Sequence, residues 1–307
     1  MEKQTHKFER FYNYQNYQII DCQTCGFRHL YPFPTESDLQ RFYHDQYFRE
    51  IKPFPYETVS PEFIAKQRQD ALVNPNYLEI YNQVVGYIWT NHLKMVDVGC
   101  GNDLLALVFR EQGWQTWNIE PNRDAAAYLA KYQLEVINQP VEAIIDFGLK
   151  DISFINLQFV LEHIREPETV LKFFNQIMVS GGVIRISVPN DFSEGQLAYL
   201  EHYGREPKWV NVPDHINYFT FDSLSRLLER TGFKEVYRTT NFPLELLLLA
   251  GKDYYHDEQE RVQVGPFVRN FEMALFKTGR SSQLKKLYES LAAQGLGRCI
   301  YMYAVKE

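Results

Sequence analysis

The chain has 307 residues, 45% of them hydrophobic, and a formal net charge of -7. That length suffices for one α/β core with additions, and the negative charge withholds the cationic footprint that DNA, RNA or an anionic membrane surface requires. The opening residues lack the apolar core of a signal peptide and Leu244–Ala250 is far too short to span a bilayer, so a cytoplasmic protein without nucleic-acid or membrane partners is expected.

From the N-terminus, the alternation of Tyr12, Tyr14, Tyr17 and Ile19 leads into Cys22-Gln23-Thr24-Cys25-Gly26 and then Phe27 to Tyr31, which predicts a small β-hairpin. A C-x-x-C-G turn between strands presents two thiolates to one side, with backbone N–H groups to stabilise them. A tetrahedral structural site needs four ligands, and no second C-x-x-C exists. His6, His29 or His44 could complete a site, but the expectation is a metal-free remnant that holds no zinc. With Cys100 in a loop and Cys299 in a late strand, the cysteines form no disulfide framework. Pro32, Pro34, Pro53, Pro55 and Pro61 punctuate a connector around a short helix at Asp38–Tyr43, which sets residues 1–60 apart as a hairpin-and-linker module.

Helical text resumes over Glu62–Val73. Asn74-Pro75 reads as the N-cap and first residue of the next helix, whose Tyr77, Leu78, Tyr81, Val84, Val85 and Ile88 form one apolar stripe. Met95–Pro121 then reads as a whole βαβ unit: a buried strand to Val98, the turn Gly99-Cys100-Gly101, a helix from about Asp103 to Gln112 stopped by Gly113, and a second strand ending at Glu120. The glycines allow a tight turn and close approach of a ligand, and the helix N-terminus faces anionic atoms. Glu120, at the strand tip, can accept hydrogen bonds from both hydroxyls of a ribose, which suggests an adenosine-containing ligand. The loop lacks the third glycine of a nicotinamide or flavin fingerprint and the Lys-Ser/Thr pair of a P-loop, so a nicotinamide-dependent enzyme is the weak alternative.

Beyond Glu120 the expected order is a helix at Asn122–Tyr132, a strand at Leu134–Asn138, a short helix at Val141–Phe147 and a strand at Ile152–Leu157. A helix opened by Pro167 and ending at Ser180-Gly181-Gly182 follows, then the strand Val183–Val188, a helix at Thr220–Thr231 and the strand Phe233–Thr240. Such alternation predicts an α/β fold with a doubly wound, mostly parallel sheet, whose ligands bind beyond the carboxyl ends of the strands. Residues 61–240 form that core. Residues 241–297 read as a helical insertion before an antiparallel final strand at 298–307, with helices near Pro266–Lys277 and Ser282–Ala293. Long, aromatic and apolar, the insertion is expected to serve with the loop Asp191–Tyr218 as a roof over the ligand, the competing explanation being a homodimer interface through Leu244–Leu249.

Asp97-Val98-Gly99-Cys100-Gly101 resembles motif I of the class I S-adenosylmethionine-dependent methyltransferases, which have a Rossmann-like fold. The run Val160-Leu161-Glu162-His163-Ile164-Arg165-Glu166-Pro167 resembles a segment of the small-molecule members, and Gly181-Gly182 to Pro189-Asn190 and Asp214 to Phe219 extend the likeness. The resemblance implies that Asp97 and the loop Gly99, Cys100, Gly101 hold the methionine ammonium of S-adenosylmethionine and Glu120, next to Pro121, its ribose. Val141 and Glu142 fall where the adenine would be met, though they read equally as helix surface, and Gln158 and Phe159 close the site at the fourth strand. Asp103 stands where the family usually has a glycine, so its carboxylate must cap the helix or repel the cofactor. Methyl transfer to a small-molecule acceptor, leaving S-adenosylhomocysteine, is the expected function; a non-catalytic binding or scaffold protein of the same fold is the alternative. The Asn/Asp-Pro-Pro-Tyr/Phe tetrad of base- and glutamine-directed members is missing at Gln158. His163 and His215 are the candidate catalytic bases, each also readable as a structural histidine. Related methyltransferases carry an N-terminal zinc ribbon with two C-x-x-C pairs, of which this chain keeps the second.

Overall fold

The computed structural model describes residues 6–42 and 59–307. Tyr43, His44, Pro53 and Pro55, named above, lie outside the described residues. The N-terminal strands are β1 (Phe8–Tyr14), β2 (Tyr17–Cys22) and β3 (Phe27–Tyr31), followed by α1 (Glu36–Phe42), α2 (Pro61–Leu72) and α3 (Pro75–Val85). Local chemistry sets these helix starts. The Ser60 hydroxyl accepts from the Phe63 N–H at 3.2 Å, Asn74 Oδ1 accepts from the Asn76 N–H at 2.9 Å, and a proline follows each cap, where its missing N–H costs nothing.

The chain then alternates: β4 (Lys94–Val98), α4 (Leu105–Glu111), β5 (Gln115–Ile119), α5 (Arg123–Ala130), β6 (Glu135–Ile137), a 3-10 helix at Val141–Phe147, β7 (Ile152–Gln158), a 3-10 turn at Leu161–His163, α6 (Pro167–Ile177) and β8 (Met178–Pro189). The helix from Pro167 is shorter than the sequence predicts and its strand longer. Met178 is already extended (φ -84°, ψ 150°), and Gly181 lies inside the strand with φ 75°, a conformation that glycine adopts without steric cost. Next come α7 (Glu194–Tyr203), β9 (Asn217–Tyr218), α8 (Phe221–Arg230), β10 (Phe233–Thr239), α9 (Leu244–Leu249), α10 (Glu258–Lys277), α11 (Ser281–Ala293) and β11 (Cys299–Lys306). Helix α10 begins eight residues earlier than Pro266 suggests, because the Asp257 side chain caps it by accepting from the Gln259 N–H at 2.8 Å. Pro266 is therefore interior. Among the described residues no helix is long and apolar enough to cross a membrane.

Two sheets result. The smaller has the order β1-β2-β3-β9 and is antiparallel throughout, with Arg28 opposite Tyr218 and His29 opposite Asn217. The larger has the order β10-β11-β8-β7-β4-β5-β6, the mostly parallel doubly wound sheet expected from the alternation, with one antiparallel strand. Successive strands run outward from β4 through β5 to β6, then resume on its other side with β7 and β8. The order therefore reverses between β4 and β7, which is where such sheets bind ligands.

The chain divides into two compact units. One takes the N-terminal segment to Pro34, Ser187–Arg226 and Tyr237–Met302; the other takes Thr35–Ile186, Leu227–Val236 and Tyr303–Glu307. In the first, Phe192, Tyr199, Trp209, Tyr218, Leu248 and Tyr254 share an aromatic core with Ile19 and Leu30. In the second, α4 is buried along Leu105–Phe109 and packs with Ala71, Tyr128, Leu129 and Tyr132.

Candidate functional site

The second unit gathers most of the residues named from sequence at the carboxyl ends of β4, β5 and β7. Gly99 (φ 61°) and Gly101 (φ 56°) both occupy the left-handed region, but for different reasons. A Cβ on Gly99 would stand 2.6 Å from Val160 Cγ2, so close packing excludes any side chain there. A Cβ on Gly101 would meet nothing within 4 Å, which leaves its surroundings free for a ligand. Glu120, almost fully buried, accepts from the Gly101 N–H at 2.6 Å through Oε2 and from the Asn122 N–H at 2.7 Å through Oε1. The carboxylate thus ties the glycine loop to the tip of β5. Asn138 Nδ2, donating to the Glu120 and Pro121 carbonyls at 2.7 and 3.0 Å, fixes that tip.

Asp97 lies behind the loop and is 1% exposed. Its Oδ1 accepts from Asn156 Nδ2 at 2.7 Å, while Oδ2 is buried with no hydrogen-bond partner among the described residues. Burial first, then the nearby Asp103 carboxylate, push its pKa up to about 8. The nearest cation in the network is the buried Arg185 of β8, whose Nη1 donates to Asn156 Oδ1 at 2.8 Å and to Gln158 Oε1 at 3.1 Å. Gln158 in turn donates to Asp103 Oδ2 at 3.2 Å. The other oxygen of Asp103 accepts from the Leu105 N–H at 2.8 Å, so this carboxylate satisfies the first N–H of α4 from one residue before Leu104, the N-cap, which has no capping side chain. Burial raises the Asp103 pKa, and hydrogen bonds from Leu105 and Tyr77 oppose the rise. Sequence reasoning missed Asn156 and Arg185. An arginine in the apolar run Val183–Val188 was the available signal, since an arginine is almost never fully buried without partners.

Phe159 follows β7 with φ 56°, uncommon for a bulky side chain, and is 37% exposed. The Cys100 thiol is buried against the Ile119 carbonyl, which pushes its pKa up and removes it from nucleophilic chemistry. Val141 is buried and Glu142 exposed at the start of the 3-10 helix. His163 and His215 fall in different compact units. His163 ends the 3-10 turn after β7, with Nε2 4.0 Å from the buried Glu162 carboxylate. His215 sits in the loop before β9, its backbone N–H bonded to the Asn211 carbonyl at 2.8 Å.

The site is a cluster of buried carboxyl groups beside a glycine loop. It suits a ligand that brings a cation to Asp97 and polar atoms to the loop. A family model described as "Methyltransferase domain" matches residues 40–237 of the chain. No curated protein sequence matches it. Among solved structures the chain is similar to a Burkholderia thailandensis 1,6-didemethyltoxoflavin-N1-methyltransferase, at 14% identity over 96% of this chain and 97% of that one, with a TM-score of 0.48. It is also similar to a SAM-dependent methyltransferase from Archaeoglobus fulgidus, at 16% identity over 80% of this chain and 100% of that one, with a TM-score of 0.47.

Proposed function

Because the chain belongs to the methyltransferase-domain family, we propose that it transfers a methyl group from S-adenosylmethionine to a small-molecule acceptor and releases S-adenosylhomocysteine. The observation that carries this reading is the buried, half-satisfied carboxyl of Asp97 at the switch point of the sheet, whose Oδ2 has no hydrogen-bond partner among the described residues. The methionine ammonium would supply that partner, and the open side of Gly101 leaves room for the chain that bears it. Glu120 would exchange one of its backbone hydrogen bonds for the ribose hydroxyls, with Cys100 and Pro121 on either side. Val141 and Glu142 would meet the adenine, and Gln158 and Phe159 the methionine end. Asp103, bonded to Leu105 and Gln158, in this reading satisfies the first N–H of α4 and is held by Gln158, which supports a binding-competent loop over a defunct one.

When bound, S-adenosylmethionine supplies a methyl group made electrophilic by its sulfonium. The protein's own task is then to hold the acceptor in line and exclude water. If the acceptor must lose a proton, His215 and His163 are the candidate bases. The net charge of -7 favours a small or neutral acceptor over a polyanion.

Calorimetric titration with S-adenosylhomocysteine tests the placement. Glu120→Ala removes charge-assisted hydrogen bonds and is expected to weaken binding by about tenfold or more. Gly101→Ala, which places a methyl in open space, should weaken binding while the left-handed backbone costs only about 1–2 kcal/mol of stability. Unchanged affinity in both variants would refute this placement of the cofactor. Tight binding without transfer to any phenol, amine or carboxylate offered would instead favour the non-catalytic reading.

A further inference from the structure

We propose that the smaller sheet carries a zinc site formed by His6, Cys22, Cys25 and His29. The expectation of a metal-free remnant rests on two thiolates with no defined pair of further ligands. The fold supplies that pair, bringing His6 and His29 from among the three candidate histidines to the same place. His6 precedes β1, Cys22 ends β2, Cys25 lies in the turn, and His29 is in β3.

No two of the four ligand atoms are more than 4.8 Å apart. His6 Nδ1 stands 3.5 Å from Cys22 Sγ and 3.5 Å from Cys25 Sγ. An ion about 2.3 Å from sulfur and about 2.0 Å from nitrogen in a tetrahedral site sets nitrogen–sulfur edges of about 3.5 Å, so these two edges already have the required length. Closing an edge as wide as 4.8 Å to tetrahedral length shortens it by about 1–1.5 Å, shared between its two ends and within reach of side-chain rotation.

His29 supplies an independent observation. It is fully buried, and its Nδ1 lies 2.8 Å from the Leu30 carbonyl oxygen, which can only accept. The proton is therefore on Nδ1, and Nε2 carries a lone pair. That Nε2 is buried with no hydrogen-bond partner among the described residues. A buried bare imidazole nitrogen is costly unless something occupies it, and a ring N–H held by a carbonyl is the usual way a metal-binding histidine is oriented.

The surroundings fit the same purpose. The Cys25 N–H donates to Cys22 Sγ at 3.4 Å and the Gly26 N–H to the Cys22 carbonyl at 2.8 Å, with Gly26 at φ 75°, so the turn directs backbone dipoles at a thiolate. The Gln23 N–H donates to the Lys7 carbonyl at 2.8 Å and the Lys7 N–H to Thr24 Oγ1 at 3.2 Å, which pins His6 beside the turn. Phe33 stacks on His29, with ring centroids 4.9 Å apart, and meets His6 edge-on at 5.4 Å, walling off one side. Two thiolates and two imidazoles in a closed, all-protein set select zinc among the common divalent ions and leave no position for a substrate, so the role is structural. It fastens the strand that begins at Phe8 to the β2–β3 turn.

Elemental analysis of the full chain, purified under reducing conditions and exposed to zinc and then gel-filtered, should give about one zinc per chain, the stoichiometry of a closed four-ligand site. His6→Ala, a change at a half-buried residue outside any strand, should lose the metal while far-ultraviolet circular dichroism stays the same. Because Cys22→Ser could unfold the sheet, cobalt exchanged into the intact protein provides the second measurement: intense visible d–d bands of tetrahedral cobalt with a sulfur charge-transfer band are expected, and His29→Gln should shift them. A wild-type chain that retains no zinc and gives only the weak octahedral cobalt spectrum would overturn the proposal, as would histidine variants whose metal content and spectrum match the wild type.

Discussion

At Asp97 burial and the neighbouring Asp103 raise a carboxyl group from its ordinary 3.8 to about 8, and the direction of that shift fixes how the site responds to pH. A group whose folded pKa is raised contributes stability that is present in full below about pH 4 and disappears as pH climbs through about 8. A ligand ammonium needs the ionised form, so near neutrality its arrival must displace a proton. Affinity for S-adenosylhomocysteine should accordingly rise from pH 6 to pH 8, by about tenfold per unit at most, and the calorimetric heat should depend on the buffer's ionisation enthalpy. Asp97→Asn is expected to bind more weakly and to lose both dependences. A wild-type affinity that is flat across this range would remove Asp97 from the ammonium's path. The acidic residue itself was legible because it opens a glycine turn at a strand end. Its partners were not. Asn156 and Arg185 come from strands whose neighbours only the sheet order reveals, and the apolar text around Arg185 disguised a buried cation.

Helix α7 shows how local and distant information separate. Its start was written in the sequence as Ser193-Glu194-Gly195-Gln196, a capping box that the structure closes in both directions, with the Gln196 N–H donating to Ser193 Oγ at 3.3 Å and the Ser193 N–H to Gln196 Oε1 at 3.2 Å. Reading Asp191–Tyr218 as one long loop misses that signal. Strand β9, two residues long, has no such local signal and exists only because β3 offers it an edge. Helices α9 and α10, both inside the predicted insertion, also differ in kind. Leu248 of α9 is 1% exposed within the aromatic core, whereas Phe276 of α10 is 64% exposed and α10 buries none of its residues. Leu248→Ala should therefore cost about 2–5 kcal/mol in denaturant unfolding and Phe276→Ala about 0.5 kcal/mol or less. Equal losses would mean that α10 is covered by something the single chain does not show. Deleting the whole insertion would remove Leu248 and Tyr254 from the core, so point changes on α10 and α11 are the cleaner test of the roof reading.

Across the whole molecule, each compact unit is woven from three separated lengths of chain. Periodicity and turn chemistry located nearly every strand of the large sheet, since each carries its own apolar run. They report which residues are apolar and not which distant segments share a core, and so a partition drawn along the chain could not show that the N-terminal strands pack with residues near 200 and 250. This weaving sets a timetable for the nascent polypeptide. Strand β11 inserts between β10 and β8, so until residues beyond Cys299 leave the ribosome β8 has an unpaired edge and both units lack a segment. The chain must wait, sticky and incomplete, for β11. Ribosome-arrested chains ending at Gly297 should be cut by protease throughout β8 and bound by chaperones, whereas chains arrested about 40 residues beyond Glu307 should resist, because folding that depends on long-range pairing completes only when its last partner arrives.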